Sequence, residues 1–222
     1  MNLLEGANKL MIEMDEGIDT LYTGQKSREG ALTEPRFDLN KIGQREANDQ
    51  EGPGFYFTTK EQEALGYAHP NGIVVTAKFV GSNLISVNDK INNKHVNKMI
   101  QMAPDLNDTL ANWGYDPGYT SKAEALAQLK DSIYSDDNAK DIWLTVWYEL
   151  YRDYAKQFVE NMVKLGYDGL IVTPKYTDDD RKHVVIYNIN TIKVVDVVQY
   201  KDLTSEEELQ ESVLLTKAKK WV

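Results

Sequence analysis

Strand-like runs in this chain fall in two blocks with a long helix-like stretch between them. That order constrains the fold more than any single motif. The early block holds Ile18 to Tyr22, the aromatic run Phe55-Tyr56-Phe57, Ile73 to Val80 and Leu84 to Val87. The late block holds Gly169 to Val172, His183 to Tyr187 and Ile192 to Val198. Each is rich in β-branched or aromatic residues and is bounded by turn formers. From Asn88 to Leu165 the apolar residues recur at helical spacing instead. Strands do not alternate one by one with helices, and neither GxxxxGK[ST] nor GxGxxG occurs. The pattern predicts an α+β domain with a split, mainly antiparallel sheet and a helical insertion from Asn88 to Leu165. At 222 residues the chain fits a single domain with its core from Ile18 to Tyr200.

Helix boundaries are written in the capping residues. Asn2 to Glu16 reads as an amphipathic helix ended by Gly17, and Thr204 or Ser205 caps a last helix reaching Ala218. Glu61 to Ala68 reads as a short helix. Ser121 with Glu124 forms a capping box for Lys122 to Ile133. Trp143, Val146, Trp147, Leu150, Tyr151, Tyr154, Phe158, Met162 and Leu165 form one broad apolar stripe, predicting a single helix from Ile142 to Leu165, with Asn138 as its cap and Gly166 as its stop. Lys26 to Glu51 has little periodicity and reads as a long loop with a helical turn near Leu39.

Composition removes several function classes. Without cysteine there is no disulfide, thiol nucleophile or thiolate zinc site. His69, His95 and His183 are the three histidines; they share no ligand-like spacing, so no metal is expected. The apolar runs are too short to span a bilayer, and the acidic start of the chain lacks a signal-peptide layout, so a cytoplasmic protein is expected. A formal charge of −10 argues against an extensive nucleic-acid surface. It suits a solvated surface or a basic protein partner.

The stretch Gly52-Pro53-Gly54-Phe55-Tyr56-Phe57-Thr58-Thr59 carries the clearest chemical signal. Two glycines allow positive φ or close approach, and the aromatics that follow offer flat faces. It is either a turn entering a buried strand or the wall of a pocket for a ring-bearing ligand.

Four segments together resemble the ADP-ribosyltransferase superfamily, in particular the ADP-ribosyltransferase-like domains of phage and mobile-element polyvalent proteins, and more distantly the poly(ADP-ribose) polymerases. They are Leu21-Tyr22-Thr23-Gly24, then Gly54-Phe55-Tyr56-Phe57-Thr58 with Ala64 and Tyr67-Ala68, then Gly166-Tyr167-Asp168-Gly169-Leu170-Ile171, and Val184-Val185-Ile186-Tyr187-Asn188 with Thr191-Ile192-Lys193. The resemblance implies NAD bound as substrate in a cleft between two sheets. It implies that the Gly24 backbone holds the nicotinamide amide, with Tyr22 and Phe55 in the matching segments. Tyr56 would stack on the nicotinamide ring and Tyr67 would close its other face. Thr23 stands where the family carries a ribose- or phosphate-holding histidine or arginine; Arg28 or Arg36 is the candidate to supply that charge. The family's catalytic glutamate usually opens the late strand, and His183 stands there.

Three expectations follow from that departure. A carboxylate from elsewhere substitutes, with Glu149, Asp153 and Asp178 to Asp180 as candidates; or His183 itself suffices for transfer; or the fold is kept for binding alone. The resemblance thus implies a mono-ADP-ribosyltransferase of phage or mobile-element origin acting on a host protein in the host cytosol. The alternative is a catalytically dead module that inhibits a host defence protein by binding it.

Overall fold

A computed structural model describes residues 18–27, 32–43, 51–69, 71–116, 121–173 and 180–199. The expected terminal helices, Arg28, Asp178 and Asp179 lie outside them.

Seven strands and six α-helices are present among the described residues. In chain order they are β1 (Leu21–Gln25), β2 (Phe55–Thr58), α1 (Glu61–Ala68), β3 (Ile73–Phe79), β4 (Leu84–Ile85), α2 (Asn93–Gln101), α3 (Leu106–Asn112), α4 (Lys122–Ile133), α5 (Ala139–Leu150), α6 (Ala155–Lys164), β5 (Gly169–Val172), β6 (His183–Ile186) and β7 (Ile192–Gln199). A 3-10 turn spans Leu39–Lys41, where a helical turn was expected. The architecture is α+β, with all the strands in one mixed sheet.

The strand order is β4-β5-β6-β2-β1-β3-β7. Every neighbouring pair runs antiparallel except β4 with β5. Two blocks separated in sequence therefore interleave in space, with early β2 beside late β6 and late β7 beside early β3. The first strand differs from the expectation. It starts at Leu21 rather than Ile18 and takes in Thr23, Gly24 and Gln25, because these residues ladder fully with Ile73 to Ala77 of β3. The β1–β2 junction is registered at a single pair, Tyr22 with Thr58. It divides the sheet into a four-strand part and a three-strand part.

Side-chain alternation sorts the core. On one face of the four-strand part, Leu170, Val172 and Val185 pack with the α2–α6 insertion around Trp143, Trp147, Tyr151 and Phe158. On the other face, Phe57, Ile171, Val184 and Ile186 pack with Leu21 and Ala77. Helix α1 lays Ala64, Leu65 and Ala68 over Tyr22, Val74 and Val198 of the three-strand part.

Ser121 and Asn138 cap α4 and α5 through the hydrogen bonds expected of them. The long helix from Ile142 to Leu165 is corrected to two. Helix α5 ends at Leu150, Tyr151 leaves helical geometry at φ −134°, and α6 begins at Ala155. Folding back brings the Trp147 and Phe158 rings to 5.7 Å, whereas a straight helix would hold those residues about 16 Å apart along its axis. It also gives the buried Tyr151 hydroxyl an acceptor, the Met99 carbonyl at 2.7 Å. Packing on both sides of the break outweighs the continuous helix that local periodicity favours.

Candidate functional site

The segment Gly166 to Gly169 works first as a structural staple. Gly166 closes α6 at φ +89°, and the Tyr167 amide donates to Met162 O at 3.0 Å, the six-to-one bond of a glycine helix stop. Asp168 then joins three pieces of chain. Its Oδ2 accepts the Ser82 and Asn83 amides at 2.9 and 3.0 Å, and its carbonyl accepts the Tyr187 amide at 2.8 Å. A Cβ on Gly169 would lie 2.4 Å from Val185 O, so glycine lets β5 approach β6. These four positions are accounted for by the fold.

Several of the residues expected to form a site lie near the junction of β1 and β2. Tyr22 and Thr58 are paired, and Thr58 is paired with His183 of β6. Paired residues point to the same side of a sheet, so Tyr22, Thr58 and His183 share one face. Alternation adds Gly24 and Tyr56 to it. Carrying the Tyr22–Thr58 register two residues further sets Gly24 opposite Tyr56, beyond the end of the ladder. Thr23 and Phe55 fall on the opposite face. Phe55 packs edge-on against Phe37 with ring centroids 5.5 Å apart, on the face away from Tyr56.

Gly24 is glycine for a packing reason. A Cβ there would sit 1.9 Å from Ala64 O and 2.7 Å from Ala68 N, so α1 rests directly on the strand. The hydroxyl of half-buried Tyr56 donates to the Gly52 carbonyl. That bond fixes the Gly52-Pro53-Gly54 turn, whose first glycine has φ +85°. Gly54 lets the turn pass Val185, since a Cβ would meet its Cγ1 at 2.4 Å.

The end of this face carries two carboxylates that the sequence reading missed. His183 Nδ1 lies 2.6 Å from Glu51 Oε1, and His183 Nε2 lies 2.8 Å from Glu63 Oε1. Arg181 Nη1 donates to the same Glu63 oxygen at 3.2 Å. The Thr58 hydroxyl donates to Glu63 Oε2 at 2.6 Å. The His183 side chain is 19% exposed and that of Glu63 14%. His183 is therefore half-buried, on a strand interior to the sheet. The hydrogen bond to Glu51 raises its pKa above the ordinary histidine value; burial opposes this, and the Glu51 charge and Glu63 add to it. Burial pushes the Glu63 carboxyl up, but Thr58, His183 and Arg181 together hold it below the usual carboxylate range. Both ring nitrogens face carboxylate oxygens, an arrangement in which only the imidazolium donates at both ends. Tyr67 is 58% exposed and one turn beyond Glu63 on α1. Its pKa is raised by burial and by the charges of Glu63 and Glu51.

The structure does not join the other expected groups to this cluster. Glu149 lies on α5 and is not a partner of His183. Asp153 lies in the α5–α6 turn, in a surface groove of about 510 Å3 shared with Asn40, Arg152, Lys156 and Glu160. Asp180 lies beside the cluster, paired with Lys60; Asp178 and Asp179, like Arg28, are outside the described residues. Arg36 is exposed near the end of β1, its backbone amide donating to Gln25 Oε1 at 2.8 Å. Neither glutamate was legible beforehand. Glu63 stands on a helix between two strands, and Glu51 at the end of a featureless loop, so only the β2–β6 pairing brings them to His183. Among the described residues there is no group of three or more side chains suited to hold a metal, and no helix is long and apolar enough to cross a membrane.

No protein-family model, curated protein or solved structure matches this chain.

Proposed function

We propose that the chain is an NAD-dependent mono-ADP-ribosyltransferase in which Glu51 supplies the carboxylate that His183 displaces from the head of β6. One observation carries the reading: Glu51 and Glu63 converge on His183, on the sheet face that also bears Tyr22, Gly24 and Tyr56. Where the resemblance implies a catalytic carboxylate, two are supplied from other elements. Glu51 is the better placed, since its Oε1 accepts from His183 and it opens the turn bonded to Tyr56. Glu63 has both oxygens engaged within the chain.

Tyr56 would stack on the nicotinamide ring, and the Gly24 backbone would hold its amide. A Glu51 carboxylate accepting from a ribose hydroxyl stabilises the positive charge that develops as the glycosidic carbon–nitrogen bond breaks. That bond's electron pair leaves with nicotinamide. A nucleophile on the acceptor protein forms the new bond to the ribose carbon and sheds its proton to water. By the same resemblance the acceptor would be a host protein and the chain a phage or mobile-element factor.

The test is transfer of label from adenine-labelled NAD by the purified protein in a bacterial lysate, resolved by gel. Labelled bands that vanish in Tyr56→Ala and Glu51→Gln are the expected result. No label, with no NAD binding by calorimetry, would overturn the reading. It would favour the second one, a non-catalytic module that binds a host protein. The observation on that side is that both His183 nitrogens and both Glu63 oxygens already have partners within the chain. Such a module keeps its partner in a pull-down with Tyr56→Ala and ignores NAD.

A further inference from the structure

The Glu51–His183–Glu63 arrangement is anchored at one end only. At the Glu63 end, α1 holds a carboxylate whose two oxygens accept from His183, Arg181 and Thr58. At the Glu51 end, His183 meets Oε1 alone. Glu51 begins the turn whose Gly52 carbonyl accepts the Tyr56 hydroxyl. The imidazolium therefore ties a fixed post on α1 to the turn that seats Tyr56. We propose that His183 is a positioning residue: while protonated it clasps Glu51 to Glu63, holds the Glu51–Gly54 turn, and so sets Tyr56 and the Glu51 carboxylate in their working places. Only the activity readout of this proposal rests on the transferase reading.

The groups facing His183 give the clasp its sign. They are Glu51 from the turn, Glu63 and Tyr67 from α1, Arg181 from the segment entering β6, and the uncharged Thr58 from β2. The Lys60–Asp180 ion pair flanks them, and Lys182 is tied through its backbone amide to Thr59 Oγ1 at 3.0 Å. Only an imidazolium donates to both glutamates at once. A neutral ring has one N–H and must turn a lone pair toward the other carboxylate. The clasp therefore holds below the pKa of His183 and opens as pH rises through it.

The experiment is a pH titration of the imidazole proton signals by NMR. There are three histidines in the chain, so the His183 signal is identified by its loss in His183→Gln. The expected result is a His183 midpoint above the ordinary histidine value, which falls in Glu63→Gln. Exchange of the Gly52 and Gly54 amides, corrected for intrinsic rate, should accelerate above the same midpoint in each protein. Label transfer by the wild type should drop about 100-fold across it, the scale of a misplaced reacting group, and that limb should move to lower pH in Glu63→Gln. A midpoint that Glu63→Gln leaves in place, or turn amides that ignore it, overturns the clasp. Wild-type protein that shows the titration and the amide response but transfers no label at any pH and binds no NAD upholds the clasp and sinks the transferase reading.

Discussion

Two glycines close to each other in the fold separate what backbone and packing each demand. Gly24 is covered by α1, and any Cβ would strike helix backbone, which cannot rotate away. Gly24→Ala should cost about 3 kcal/mol by forcing the helix off the strand. Gly66 sits in the same helix with nothing within 4 Å of its would-be Cβ. Gly66→Ala should stabilise by roughly 0.5–1 kcal/mol through helix propensity and a less flexible unfolded chain. Urea unfolding of the two variants checks both signs. The charged cluster sets its own pH window. His183 is raised, so its contribution is complete below the unfolded histidine value and is lost as pH rises through the folded one. Glu63 is lowered, so its contribution is present above the unfolded carboxylate value and is lost as pH falls through the folded one. Thermal unfolding across pH should show a plateau between these limits. In His183→Gln the alkaline decline should flatten.

At the scale of elements, the α5–α6 fold-back shows how a correct local reading gives the wrong shape. Each residue of the stripe is apolar at helical spacing, and all but Tyr154, which is exposed, are used in the core. The break falls at Tyr151 to Tyr154, which contain neither proline nor glycine. Its cause is the set of partners reached only by turning: Phe158 against both Trp147 and Tyr151, and the Tyr151 hydroxyl on Met99 O. Phe158→Ala removes the ring on which both sides of the turn close and should cost about 3–5 kcal/mol. Trp147→Phe should cost much less, because the buried Trp147 Nε1 has no hydrogen-bond partner among the described residues and its loss leaves no polar group stranded. Chemical denaturation of the two variants makes the comparison.

For the whole molecule, the sheet is a four-strand part and a three-strand part meeting at one registered pair. Each part has its own helical cover, the α2–α6 insertion on one and α1 on the other. Few hydrogen bonds cross the junction, so the parts should open with different free energies, β5 and β6 being best protected. Native-state hydrogen exchange measures this directly, and identical opening free energies for β3 and β6 would refute it. The residues proposed to act on NAD lie at that junction. Ligand binding there should raise protection on both sides at once.

Sequence by itself determined the α+β class, most strand positions, the caps at Ser121 and Asn138 and the stop at Gly166, because each depends on neighbours within a turn or two. It marked the glycine-aromatic stretch and His183 as positions of interest. Only the tertiary structure decided what surrounds them. Strand pairing between the early and late blocks set Thr58 beside His183. The face on which α1 docks brought Glu63 to it, and the end of the long loop delivered Glu51. Phe55 and Tyr56 were separated for the same reason, since neighbours on a strand point to opposite faces. Periodicity reports which residues are buried together along one element. The meeting of charges from four different elements is fixed by long-range packing, which no local pattern records.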